Sequence, residues 1–182
     1  MIDFDIVRLT KDHNVLAFDC GNKDINDFLM EDAYDYQEGL LAVTYLALNK
    51  SHDDVLSYFC LLNDKLAYFP GDDKKAWNKL NRKVSNHKRM KSYPAVKIGR
   101  LGTQRMCSGQ GLARDIIDYI KVLFTKDNRT GCRFLTVDAH RDAVGFYEKC
   151  GFSYFTDLDV DEDTRLMYFD LKPFRDACGF KR

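Results

Sequence analysis

RMCSGQGLARDIIDYI, residues 105–120, decides how the rest of the chain is read. Gly109 and Gly111 bracket Gln110, and the residues that follow place Leu112, Ile116 and Ile120 at helical spacing, continued by Leu123 and Phe124. A glycine turn opening straight into an amphipathic helix leaves the helix's first N–H groups without carbonyl partners, and the helix dipole adds positive potential there. Such a start is suited to an anion, a phosphate above all. The Walker arrangement would need a lysine after Gly111, where Leu112 stands, and a dinucleotide loop would need a third glycine, where Arg114 stands. A plain tight turn before a helix explains the glycines equally well on their own.

Working outward, the periodicity changes from helical to alternating on both sides. Upstream, Pro94 ends any helix and AVKIGRLGT (95–103) reads as a strand; downstream, the turn NRTG precedes an apolar strand, RFLTVDA (133–139). A short helix, DAVGFYEKC (142–150), closes on Gly151, and FSYFT (152–156) with RLMYFDL (165–171) form an expected antiparallel pair. In the first half, IDFDIVRL (2–9) alternates as a strand. NKDINDFLMEDAYDYQ (22–37) then sets Ile25, Phe28, Leu29, Ala33 and Tyr36 at helical spacing behind an Asn22 N-cap. LAVTYLALN (41–49) and VLSYFCLLN (55–63), joined by KSHDD, predict a β-hairpin, and Trp77, Leu80 and Val84 predict the apolar stripe of a further helix. The order βα(α)ββ(α)βαβαββ defines an α/β sheet with helices on its faces.

Composition bounds the possibilities. A chain of 182 residues with 45% hydrophobic content can bury one core, so residues 1–182 are expected to form a single domain. The acidic, alternating start MIDFDIVRLT is no secretory signal, and no window holds the roughly 18 apolar residues of a membrane span. A soluble, cytoplasmic protein is expected. Six cysteines lie scattered without CxxC pairs or cysteine–histidine spacing, so reduced thiols and no metal site are expected. The 28 basic and 28 acidic residues cancel, yet Lys74 to Arg105 holds eleven Lys or Arg and no acid. That run is either a solvated helix face or an attraction for a polyanion, with salt-sensitive binding in the second case.

Taken together, the glycine loop and AVGFYEKCGF (143–152) resemble the GNAT superfamily of acyl-CoA-dependent N-acyltransferases. The family's phosphate loop reads Gln or Arg, two residues, Gly, one residue, then Gly or Ala; Gly111 and Ala113 fill the last positions, and Ser108 replaces the first. The second stretch resembles the family's AxxFYxKxGF element. The resemblance implies a mixed, mostly antiparallel central sheet of 6–7 strands flanked by about four helices and splayed between the strands near 96–103 and 133–139. It implies acetyl-CoA as acyl donor, with Ser108, Gly109, Gln110, Gly111, Leu112 and Ala113 at the pyrophosphate. Leu101, Gly102 and Thr103 would lie along the pantetheine arm, and Phe146 and Tyr147 beside the sulfur. Tyr147 would be the general acid that protonates the leaving thiolate.

The first half, from FDCGNKDINDFL to YPAVKIGRLG, further resembles the acetyltransferase toxins that modify aminoacyl-tRNA. That narrower resemblance implies tRNA and an antitoxin protein as partners, with a homodimer among the assemblies. It gives the acid-free run a purpose: Lys83, Lys88, Arg89 and Lys91 would meet RNA phosphates beside the site of amine attack. The alternatives are a small-molecule or protein amine as acceptor, or a module that binds CoA without transferring. No Glu or His presents itself as general base.

Overall fold

The computed structural model describes residues 2–84, 90–126 and 130–180. It is a mixed α/β fold whose seven strands are ordered β1-β2-β3-β4-β5-β7-β6. The strands are β1 (Asp5–Arg8), β2 (Val43–Leu48), β3 (Val55–Ala67), β4 (Ser92–Thr103), β5 (Phe134–His140), β6 (Ser153–Tyr154) and β7 (Thr164–Asp170). The helices are α1 (Lys23–Asp27), α2 (Ala33–Glu38), α3 (Lys74–Lys83), α4 (Leu112–Leu123), α5 (Val144–Lys149) and α6 (Leu171–Ala177). β1/β2, β2/β3, β5/β7 and β6/β7 pair antiparallel, whereas β4 and β5 pair parallel through Ala95↔Phe134, Val96↔Leu135 and Lys97↔Thr136. The described residues gather into two compact units, Met1–Asn63 with Ile98–Tyr119 and Asp64–Lys97 with Ile120–Arg182.

In the first unit, Asn22 caps α1 by accepting the Ile25 N–H at 3.2 Å, as its position in the sequence predicts. The helical stretch over 22–37, expected as one or two helices, is interrupted: Phe28–Asp32 form a π-turn, and the Ala33 N–H reaches back to the Phe28 carbonyl. One extra residue in that turn advances the following helix by roughly 100° of phase. Gln37 therefore faces inward, while Tyr36, expected on the buried stripe, is 43% exposed. The buried amide is well served, donating to the Leu9 carbonyl (3.0 Å) and accepting from Arg8 Nε (3.2 Å). Phe18, Phe28, Leu29, Leu46, Tyr58 and Cys60 fill the core beneath.

In the second unit, Asp73 caps α3 by accepting the Lys75 and Ala76 N–H groups at 2.8 and 3.0 Å. Trp77, Leu80 and Val84 are buried as their spacing predicts, against Leu66, Tyr93, Phe134 and Tyr168. The sequence reading ends with the last strand; the structure adds α6, capped by the Asp170 side chain on the Lys172 N–H at 3.0 Å. Two periodic apolar residues, Leu171 and Phe174, are too few to signal a helix by themselves.

Candidate active site

The glycine turn is built as an open cradle in the first unit. Arg105–Cys107 form a short 3-10 turn, after which Gly109 and Gly111 adopt φ of +74° and +89°. An L side chain is strained at such angles, so glycine is what lets the chain double back into α4. A Cβ built on either glycine would meet nothing within 4 Å, so the face of the turn is unobstructed. The Ser108 and Gln110 N–H groups are engaged within the turn, on the Arg105 and Cys107 carbonyls, and Arg114 and Asp115 both donate to the Gly111 carbonyl. The N–H groups of Gly111, Leu112 and Ala113 are the first-turn donors of a twelve-residue helix, with no carbonyl one turn behind them. Gln110 spends its side-chain amide on the Met106 carbonyl (2.7 Å) and is therefore a brace of the turn. Leu112 is buried and can offer only its backbone.

The end of β4 is held with equal care. The Ser57 hydroxyl donates to the Gly102 carbonyl at 2.6 Å and lies 3.1 Å from Thr103 Oγ1. Gln104 accepts the Asp19 N–H at 2.8 Å and donates to the Ala17 carbonyl at 3.2 Å. Gly102 itself is buried: a Cβ there would lie 2.7 Å from Ile25 Cγ2. Leu101 and Thr103 are half-buried. Sequence reasoning missed Ser57 and Gln104, because a polar residue inside a strand or just after it carries no periodic signal.

Tyr147 sits on α5 in the second unit, buried between the rings of Phe146 (5.1 Å, 70°) and Phe152 (5.4 Å, 68°). Burial, and after it the nearby Cys150 thiol, pushes the phenol well above the ordinary tyrosine range. The hydroxyl thus keeps its proton at neutral pH, the state a proton donor needs. The end of α5 is fixed by a lysine that the sequence reading does not single out: Lys121 is buried on α4 and donates to the Cys150 carbonyl at 2.9 Å. Its ammonium also lies 4.7 Å from the Phe169 ring centroid. The available signal was its place one helical turn after Ile117, on the apolar side of α4.

Of the basic residues expected at RNA, Lys83 is exposed on α3 and Lys91 is exposed where its carbonyl accepts the Tyr68 N–H at 3.0 Å. Lys88 and Arg89 lie outside the described residues. Among the described residues no three His, Cys, Asp or Glu side chains gather to hold a metal ion, and no helix is long and apolar enough to cross a membrane.

Residues 82–167 match the model of the acetyltransferase (GNAT) domain family. Solved structures extend the likeness across nearly the whole chain. AtaT complexed with acetyl-methionyl-tRNAfMet is 23% identical, with 97% of this chain and 99% of that one covered at a TM-score of 0.78. A mutant AtaT toxin bound to acetyl-CoA and the C-terminus of the antitoxin AtaR is 22% identical, with 98% and 99% covered at 0.71. The KacTA–DNA complex is 20% identical, with 98% and 100% covered at 0.73. At these identities the likeness establishes the shared fold.

Proposed function

We propose that this chain transfers the acetyl group of acetyl-CoA to the α-amino group of an aminoacyl-tRNA, as the toxin of a toxin–antitoxin pair. The observation that carries this reading is the near end-to-end likeness to AtaT complexed with acetyl-methionyl-tRNAfMet. The acid-free run from Lys74 to Arg105 supports an RNA acceptor independently. An antitoxin partner follows from the same likeness, since an AtaT mutant is solved with the C-terminus of AtaR.

In this reading the open N–H groups of Gly109, Gly111, Leu112 and Ala113, with Ser108 and Gln110 at the rim, hold the donor's pyrophosphate. Backbone groups of Leu101, Gly102 and Thr103 run beside the pantetheine, and Phe146 packs near the sulfur. Acetyl-CoA supplies an activated thioester carbonyl. The neutral amine attacks that carbon, the C–S bond breaks, and Tyr147 delivers a proton to the departing thiolate. A phenol above the ordinary tyrosine range is a weaker acid than a thiol, whose pKa is about 8.5. Net transfer is therefore completed by the proton that the attacking amine gives up.

The test is incubation of purified protein with acetyl-CoA and mixed aminoacyl-tRNA, following free thiol and the mass of the aminoacyl ester. Thiol release with N-acetyl-aminoacyl-tRNA is expected. Thiol release only with free amines or polyamines would move the acceptor to a small molecule, and tight CoA binding without any turnover would make the chain a binding module.

A further inference from the structure

The second unit holds a cavity of about 480 Å³ whose lining includes three lysines of α3: Lys75, Lys79 and Lys83. Spaced by four residues, they fall on one face of the helix. With a rise of 1.5 Å per residue, they form a ladder of charges about 6 Å apart and about 12 Å long. A solvated helix face is the ordinary fate of such lysines, but these border a concavity.

The opposing carboxylates are largely committed elsewhere. Asp73 is spent on the Lys75 and Ala76 N–H groups of α3, and Glu148 is engaged by the Tyr154 hydroxyl, which leaves Asp157. Lys83 leans on Tyr168, 3.4 Å from its hydroxyl. Among the described residues no carboxylate forms an ion pair with any of the three lysines. The lining also includes Phe152, whose ring packs against Tyr147 at 5.4 Å, so the cavity borders the aromatic cage of the proposed acid.

We infer that this cavity and its lysine ladder hold successive backbone phosphates of the RNA acceptor, an inference that rests on the aminoacyl-tRNA reading. One small anion would satisfy one lysine; a regular ladder suits a polymer with a charge at every repeat. Contacts of this kind position RNA by shape and phosphate and carry no base preference. Lys75 and Lys79 thereby join Lys83 in acceptor binding, toward the beginning of α3.

The test uses the triple variant Lys75→Gln, Lys79→Gln, Lys83→Gln, which keeps good helix formers on an exposed face. Binding of mixed aminoacyl-tRNA is measured against salt, and acetylation kinetics alongside. The slope of log affinity on log salt should become shallower by about 2 to 3, since each lost phosphate contact removes 0.7 to 0.9. KM for aminoacyl-tRNA should rise at least about tenfold, while acetyl-CoA affinity stays unchanged and reports an intact fold. Lys126→Gln, another exposed lysine, should do neither. A wild-type slope and KM in the triple variant would overturn the inference while leaving the acceptor reading standing. Loss of binding to an acidic polypeptide in place of RNA would overturn it too and reassign the cavity. Failure of the wild-type protein to acetylate any aminoacyl-tRNA would instead remove the reading on which the inference rests.

Discussion

Lys121 Nζ donates to the Cys150 carbonyl at 2.9 Å, tying the last turn of α4 to the C-cap of α5. A cation at the C-terminal end of a helix is favoured by the dipole, and a buried carbonyl deprived of its donor is costly. Lys121→Met keeps the apolar stem and removes the bond. It should lower stability by about 2 kcal/mol, read from the denaturant midpoint. An unchanged midpoint would show that the ammonium does not brace α5.

Tyr147→Phe should reduce turnover by about two orders of magnitude while sparing acetyl-CoA affinity, the loss expected when a general acid is removed. Because burial holds the phenol above its ordinary range, wild-type activity should show no alkaline decline from tyrosine ionisation up to pH 10. The rising limb should instead follow deprotonation of the acceptor amine, near 8 for an ordinary α-amino group. A descending limb below pH 10 that vanishes in the phenylalanine variant would contradict the assignment of the phenol's state.

Two glycines should respond in opposite directions to alanine. At Gly102 the new methyl would lie 2.7 Å from Ile25 Cγ2 and 3.1 Å from Tyr58 Cε1, so the core must shift, at about 2 kcal/mol. At Gly145, inside α5, the methyl meets nothing within 4 Å, and helix propensity should add about 0.5 to 1 kcal/mol. Thermal unfolding of the two variants measures both.

The thiols should separate by reactivity. Burial pushes the Cys60 and Cys132 thiols up to about 11, whereas Cys178 is exposed. Alkylation at pH 8 followed by peptide mass should mark Cys178 first and leave Cys60 and Cys132 unmodified until unfolding. The sign of the linkage follows. The folded state holds these protons more tightly than the unfolded chain, so the stability they contribute is complete below pH 9, their ordinary value, and is lost as pH rises through 11. Stability falling between pH 7 and 8 would point to another group.

The elements that announce themselves in the sequence are those with a cap and a long stripe. Asn22 before α1, and Leu112, Ile116 and Ile120 along α4, each state a start or a buried face directly. The π-turn at Phe28–Asp32 is silent because an inserted residue changes phase without changing composition, which is why Tyr36 and Gln37 exchange places. α6 is silent because so short a helix owes its place to packing, with Phe174 against Phe169 at 6.0 Å. In the candidate site, the left-handed glycines and the aromatic neighbours of Tyr147 could be read from adjacent letters. The partners of Ser57, Gln104 and Lys121 could not, since each acts on a residue at least 29 positions away, even where, as for Lys121, the side of the helix was legible.

Gln110 ties its side chain to the Met106 carbonyl, and the turn around it offers main chain to whatever docks there. Drift in the letters of such a loop costs little so long as the two glycines keep its path. In the proposed reading, serine at position 108 leaves the cradle intact, because the donor would be gripped by main chain and the side chain at that position would be free to vary.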